Sequence, residues 1–151
     1  MKSVTAIAHA ALRIADIDRS LDFYVGKLGF AEMFRLDRDG RVWIVYLRIT
    51  DTQYLELFPG GDGERAPGPN EIGPNHFCLE VNDIDAAISE LTDKGVKLTQ
   101  AKKKAVDGNN QAWIEDPDGN RIELMQMSEE CLQLRAIARL SAESAKADQT
   151  K

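Results

Sequence analysis

Short stretches of alternating apolar and polar residues recur along the chain, each leading into a stretch of helical period. Leu12/Ile14 and Phe77/Leu79/Val81 alternate, which predicts strands over about 4–14 and 75–82. Behind each strand the spacing changes: Ile17, Leu21 and Tyr24 in one case, Ile84, Ile88 and Leu91 in the other. That spacing predicts helices over about 17–28 and 84–94, each with one apolar face for covering a sheet. Asp16 and Asp83 stand where a short carboxylate satisfies the free N–H groups of a first turn. Gly29 and Gly95 stand where the helices run out. Three further strands finish each half, with turns at Asp39-Gly40 and Asp118-Gly119. The predicted order is βαβββ, twice.

The halves are separated by PGGDGERAPGPNEIGP, residues 59–74, which holds four of the five prolines and five of the eleven glycines. Such a stretch predicts an exposed connection. Shifting the first half by 67 places lays His9 on His76, Leu12 on Leu79 and Asp16-Ile17-Asp18 on Asp83-Ile84-Asp85. It also lays Leu21 on Ile88 and Leu55-Glu56-Leu57 on Ile122-Glu123-Leu124. One ungapped offset aligning both ends of each half is an internal repeat. The expected organisation is one α+β domain over 1–127, with module one at 1–58, the linker at 59–74 and module two at 75–127. Residues 128–151 are expected to add an amphipathic helix over 129–145, capped by Ser128, and a frayed tail. Cys131, Leu134, Ile137 and Ala138 form its narrow apolar stripe.

Composition narrows the function. Hydrophobic residues at 43% and charged residues at 29% are globular proportions, and the formal net charge is −6. Nucleic acid is disfavoured, since phosphate binding needs a basic footprint. No apolar run approaches the ~18 residues that span a bilayer. His9 and Arg13 interrupt the N-terminal apolar stretch, so a strand, rather than a signal peptide, is expected there. Two cysteines 53 residues apart, Cys78 and Cys131, suit a reduced, cytoplasmic setting better than a disulfide scaffold.

His9 and His76 are the only histidines, and each precedes a glutamate, Glu56 and Glu123, by 47 residues. In Tyr54-Leu55-Glu56-Leu57-Phe58 and Arg121-Ile122-Glu123-Leu124-Met125, period-two alternation sends the aliphatic residues to the helix-covered core. Both glutamates then face the other way, and the same parity puts both histidines on that face. Two imidazoles and two carboxylates form a borderline N/O ligand set. It suits Ni²⁺, Co²⁺, Zn²⁺, Fe²⁺ or Mn²⁺ better than a thiolate zinc site does, and two carboxylates balance one divalent charge. A single such pair would read as a solvated polar face; two pairs at identical spacing read as ligands.

These residues also carry a resemblance. HAALRIADIDRSLDFYVGKLGF, YLELF, HFCLEV and WIEDPDGNRIELMQ together resemble the vicinal oxygen chelate superfamily, and within it glyoxalase I, or lactoylglutathione lyase. The resemblance extends to about Met127. It implies two βαβββ modules that form a cup-shaped, half-open mixed β-barrel, with one divalent metal per site held by His9, Glu56, His76 and Glu123. It further implies a homodimer in which the metal sites are shared between subunits. The full His-Glu-His-Glu set matches the proton-transfer isomerases. Extradiol dioxygenases and fosfomycin-modifying relatives keep three protein ligands, and bleomycin-binding relatives keep none.

The implied activity is a carbon–sulfur lyase or isomerase reaction on an α-keto-aldehyde thiol hemithioacetal, by proton transfer through an enediolate held on the metal. Glu123 is the base by resemblance, with Glu56 as ligand and second proton carrier. Arg13 corresponds to an arginine that binds a carboxylate of glutathione. The asparagine that also holds glutathione is replaced by Gly60, so a different thiol or substrate is open. Glu80, which the repeat lays on Arg13, is expected to pair with it. Phe58, Trp113 and Met125, with Tyr54, are candidates for the apolar wall of a small-molecule pocket. Lys102-Lys103-Lys104 reads as a solvated edge, Cys78 as a small filler and Asp116-Pro117-Asp118-Gly119 as a tight turn. The alternatives are an epimerase acting next to a carbonyl, of the methylmalonyl-CoA epimerase type, and a small-molecule-binding dimer without turnover.

Overall fold

A computed structural model describes residues 3–149 and shows eight strands in two four-stranded mixed sheets, with three helices. The chain divides into two compact units, Met1–Asn75 with Asp116–Asn120, and His76–Glu115 with Arg121–Lys151.

In the first unit, β1 (His9–Ile14) leads into α1 (Ile17–Leu21), followed by β2 (Ala31–Arg38), β3 (Arg41–Arg48) and β4 (Tyr54–Pro59). The sheet order is β1-β4-β3-β2, with β1 parallel to β4 and the other pairs antiparallel. The strand expected from residue 4 begins only at His9. Its single ladder partner, β4, starts at Tyr54, whose N–H donates to the Ala8 carbonyl at 3.2 Å and ends the ladder there. Asp16 caps α1 as the sequence implies, its carboxylate accepting from the Arg19 N–H at 2.8 Å. The expected helix over 17–28 does not stay α-helical, because Asp22–Lys27 forms a π-helical turn. There the Leu28 N–H donates to the Phe23 carbonyl five residues back, at 2.9 Å. The extra residue in that turn brings both Phe23 and Tyr24 into the core with Ile14, Val45, Leu47, Leu55 and Leu57. Asp39 and Gly40, both at positive φ (53° and 72°), make the tight β2–β3 hairpin.

The second unit repeats this plan. Its elements are β5 (Phe77–Glu80), α2 (Ile84–Asp93), β6 (Gln100–Lys104), β7 (Asn110–Glu115) and β8 (Arg121–Gln126), in the order β5-β8-β7-β6. β5 is shorter than the 75–82 expected, and His76 sits one residue before it. The side chain of Asp83 accepts from the Asp85 and Ala86 N–H groups and starts α2. Ile84, Leu91, Ala112, Ile114, Ile122 and Leu124 form the core. Neither four-stranded sheet closes on itself, and the α+β class with two βαβββ units is as the sequence reading expects.

The turn at 116–119 forms as expected, but it packs with the first unit. Asp116, 5% exposed, accepts from the Tyr24 hydroxyl (2.7 Å), the Asp118 N–H, the Asn120 N–H and the Asn120 side-chain amide. Arg19 pairs with Asp118.

The C-terminal helix α3 runs Leu132–Gln149 rather than 129–145. Ser128 does not cap it directly; its hydroxyl accepts from the Glu130 N–H at 3.4 Å, ahead of the first turn. The start of α3 is fixed instead to the β6–β7 loop, where the Leu132 N–H donates to the Asp107 carbonyl and Gln133 donates to the Asp107 carboxylate. Cys131 is fully buried there, whereas Leu134, Ile137 and Leu140 are exposed. Helical backbone persists into the tail expected to fray, and Thr150 and Lys151 lie outside the described residues. Among those described, no helix is long and apolar enough to cross a membrane.

Candidate metal centre

β1 and β4 set the first half-site. Their parallel register places Ala11 beside Glu56 and His9 beside Tyr54, and the antiparallel β3 brings Tyr46 to the other side of Glu56. Leu55 and Leu57 are fully buried on the core side, so Glu56 takes the opposite face, where it is 9% exposed. His9 Nε2 lies 3.7 Å from the Glu56 carboxylate. The second half-site has the same construction: Cys78 and Trp113 flank Glu123, and His76 Nε2 lies 3.2 Å from its carboxylate. The structure therefore joins each sequence-predicted histidine to its predicted glutamate.

Donor separation decides whether these pairs suit a cation. Metal–ligand bonds of about 2.0–2.2 Å at roughly 90–110° place neighbouring donors about 2.8–3.6 Å apart. His76–Glu123, at 3.2 Å, falls within that interval, and His9–Glu56, at 3.7 Å, lies just outside it. Imidazole nitrogen with carboxylate oxygen is a donor set for borderline divalent ions. Among the described residues no three His, Cys, Asp or Glu side chains converge, so each half-site offers two protein donors.

The surroundings of the two pairs differ. A row of rings crosses the first sheet, one from each strand. Phe34 stacks on Tyr46 (4.4 Å between centroids), Tyr46 lies 6.1 Å from Tyr54, and Tyr54 stacks on His9 at 5.3 Å. Burial, followed by the Glu56 charge and a hydrogen bond to that carboxylate, raises the Tyr46 pKa. In the second unit Trp113 meets the edge of His76 at 4.7 Å and carries Arg121 over its ring. Its indole N–H is buried without an acceptor, a position that costs about 1–3 kcal/mol when left unsatisfied. Cys78 is exposed, yet desolvation of its thiol, together with the adjacent Glu123 carboxylate, pushes its pKa up to about 12. At neutral pH that sulfur is a thiol, not a nucleophilic thiolate.

Tyr46 is the site residue that pattern reading missed. The 67-residue offset that aligns the histidines also lays Tyr46 on Trp113, Tyr54 on Arg121 and Ala11 on Cys78. That signal was present, but its meaning depends on the β3–β4 register, which the spacing of residues along one strand does not record.

The remaining predicted residues lie along the same strands. Arg13 donates to the Pro59 carbonyl at 3.2 Å and sits 5.5 Å above the Phe58 ring. Gly61 is required beside it, because a Cβ there would stand 2.9 Å from Arg13 Cγ and 3.2 Å from the Ile14 carbonyl oxygen. Gly60, at φ 81°, turns the chain out of β4 and presents no side chain. Met125 pairs with Glu80 and Gln111. On the exposed β6 edge, Lys102 is paired with Asp85 and Lys103 with Gln100, which leaves the lysine run engaged locally.

Comparison with known proteins follows the same outline. The family model described as Glyoxalase/Bleomycin resistance protein/Dioxygenase superfamily matches residues 6–124. A lactoylglutathione lyase of Neisseria meningitidis serogroup A is 32% identical over 125 residues, covering 80% of this chain and 89% of that protein. Among solved structures, SMU.1112c matches with a TM-score of 0.73 at 29% identity, over 82% of this chain and 99% of that one. A lactoylglutathione lyase from Agrobacterium tumefaciens matches with a TM-score of 0.62 at 25% identity, over 82% and 95% of the respective chains. Helix α3 lies beyond the residues that the family model matches. With its repeated βαβββ units and a match spanning most of its length, the chain belongs to the glyoxalase/bleomycin resistance protein/dioxygenase superfamily.

Proposed function

We propose that this protein is a divalent-metal-dependent lyase or isomerase of the glyoxalase I type, with His9, Glu56, His76 and Glu123 as metal ligands. The observation that carries the reading is the duplicated pair. The same imidazole–carboxylate contact occurs at repeat-equivalent positions, and it uses every histidine in the chain. Bound there, a divalent cation such as Ni²⁺, Zn²⁺ or Co²⁺ supplies Lewis acidity toward two vicinal oxygens of the substrate.

The chain's own residues then move a proton. Glu123 removes it from the carbon next to the carbonyl and returns it to the neighbouring carbon, while Glu56 stays a ligand and second carrier. A carboxylate is the right group for a reversible transfer of this kind, provided that it reaches the carbon within hydrogen-bonding distance. Arg13 binds an anionic end of the substrate, since a guanidinium keeps several donors beyond the one given to Pro59. Phe58, Trp113 and Met125 provide apolar surface. In this reading the protein acts as a homodimer on a small molecule.

Gly60 favours a substrate other than the glutathione adduct. Where glutathione-using relatives place an asparagine, this chain has a glycine with no side chain to hold the thiol. An epimerase acting next to a carbonyl uses the same ligands and the same proton transfer, and it is the second reading. Assay of the purified protein on the methylglyoxal–glutathione hemithioacetal, with Ni²⁺ or Zn²⁺ added, tests the first. Metal-dependent product formation supports it. Metal uptake without turnover moves the assignment to the epimerase class or to another substrate, and protein that takes up no metal overturns both enzyme readings.

A further inference from the structure

Each candidate ligand glutamate has one neighbour on either side across its sheet, and the two sets differ. Glu56 lies between Ala11 and Tyr46, and Glu123 between Cys78 and Trp113. Ala11 offers Glu56 nothing to bond, so the hydroxyl of Tyr46 is the one donor that a cross-strand neighbour can give it. Around Glu123 the donor is a thiol, which bonds weakly, and the indole N–H of Trp113 stays unpaired.

Tyr46 is itself packed among other rings. Its ring is stacked on Phe34 at an interplanar angle of 26° and abuts Tyr54, whose own ring stacks on His9 at 22°. Moving the phenol would disturb Phe34 and Tyr54 together. The ring row therefore adjoins both candidate ligands of the first unit: Tyr54 lies on the imidazole of His9, and Tyr46 stands directly across the ladder from Glu56.

We propose that Tyr46 is a positioning residue of the metal site, holding the Glu56 carboxylate in its ligating orientation from the far side of the strand ladder. The inference rests on the metal reading given above. A carboxylate held by an outer hydrogen bond loses less freedom on binding a cation, and removal of such an outer partner typically costs 10–100-fold in metal affinity. The second unit lacks an equivalent hydroxyl, because the repeat places Trp113 there. Across its ladder Glu123 meets only the weaker donor of Cys78, which suits a group that must leave a ligand position to carry a proton. The difference between Tyr46 and Trp113 thus divides the labour of two glutamates that are otherwise equivalent.

The test titrates Ni²⁺ or Zn²⁺ into metal-free wild type and into Tyr46→Phe, and follows thermal melting of both metal-free proteins. Phenylalanine keeps the ring contacts and deletes only the hydroxyl. The proposal expects affinity to fall about 10–100-fold while the metal-free melting temperature is unchanged. Equal affinities overturn it and leave the metal reading intact. Affinity that falls together with the metal-free melting temperature also overturns it, making Tyr46 a packing residue. Wild type that takes up no metal defeats the metal reading and this inference with it.

Discussion

Tyr24 and Asp116 are 92 residues apart in sequence, fully or almost fully buried, and joined by a 2.7 Å hydrogen bond. Deleting the hydroxyl with Tyr24→Phe leaves the buried carboxylate one donor short. The expected loss is about 1–3 kcal/mol of folding stability, measured by urea denaturation. Burial, and then the Asp116 charge, raise the Tyr24 pKa well above its ordinary 10.0. The folded state therefore keeps its proton where the unfolded chain gives it up. The stability that Tyr24 supplies is complete below pH 10 and declines as pH rises beyond it, and a Tyr24→Phe variant lacks that alkaline decline. Gly61 sets a second limit at this scale. Gly61→Ala forces its Cβ against Arg13 and the Ile14 carbonyl, so the variant is expected to bind an anionic substrate with a raised KM, read from steady-state kinetics.

At the scale of elements, the sequence is legible wherever one face of a strand or helix is buried. Leu55/Leu57 and Ile122/Leu124 announce which side of β4 and β8 is core, and the position of both glutamates follows from that parity alone. Asp16 and Asp83 announce the two helix starts. Three features were not legible, each for a physical reason. The π-helical turn at Asp22–Lys27 depends on how Phe23 and Tyr24 both find the core, which no local spacing records. The start of α3 is set by distant hydrogen bonds to the Asp107–Asn109 loop, not by the nearby Ser128. The place of Tyr46 beside Glu56 depends on ladder register. Asp107 gives the element-scale prediction. The Gln133 amide, first, and the Asn109 N–H hold its pKa below the ordinary 3.8. Its contribution is present above that value and lost as pH falls through the lowered one. Asp107→Ala should cost about 1–3 kcal/mol at neutral pH. The gap from wild type should shrink on acidification, with the helical circular dichroism signal of α3 lost first.

Across the whole molecule, one unit plan is used twice and then specialised. The two units share strand order, helix position and a histidine–glutamate pair, while Ala11/Cys78, Tyr46/Trp113 and Tyr54/Arg121 differ around those pairs. Helix α3 is an addition to that plan, anchored at its first turn and exposing Leu134, Ile137 and Leu140 beyond it. Removing residues 138–151 should leave metal uptake and the melting temperature unchanged, whereas truncation before the buried Cys131 should lower the latter. The central claim is that the two pairs are metal ligands. Equilibrium dialysis against Ni²⁺, with bound metal counted by mass spectrometry, tests it most directly on wild type, His9→Ala and His76→Ala. The account predicts one ion for each set of two histidines and two glutamates in wild type, with affinity lost in both variants. Undiminished binding in either variant, or no binding in wild type, would contradict it.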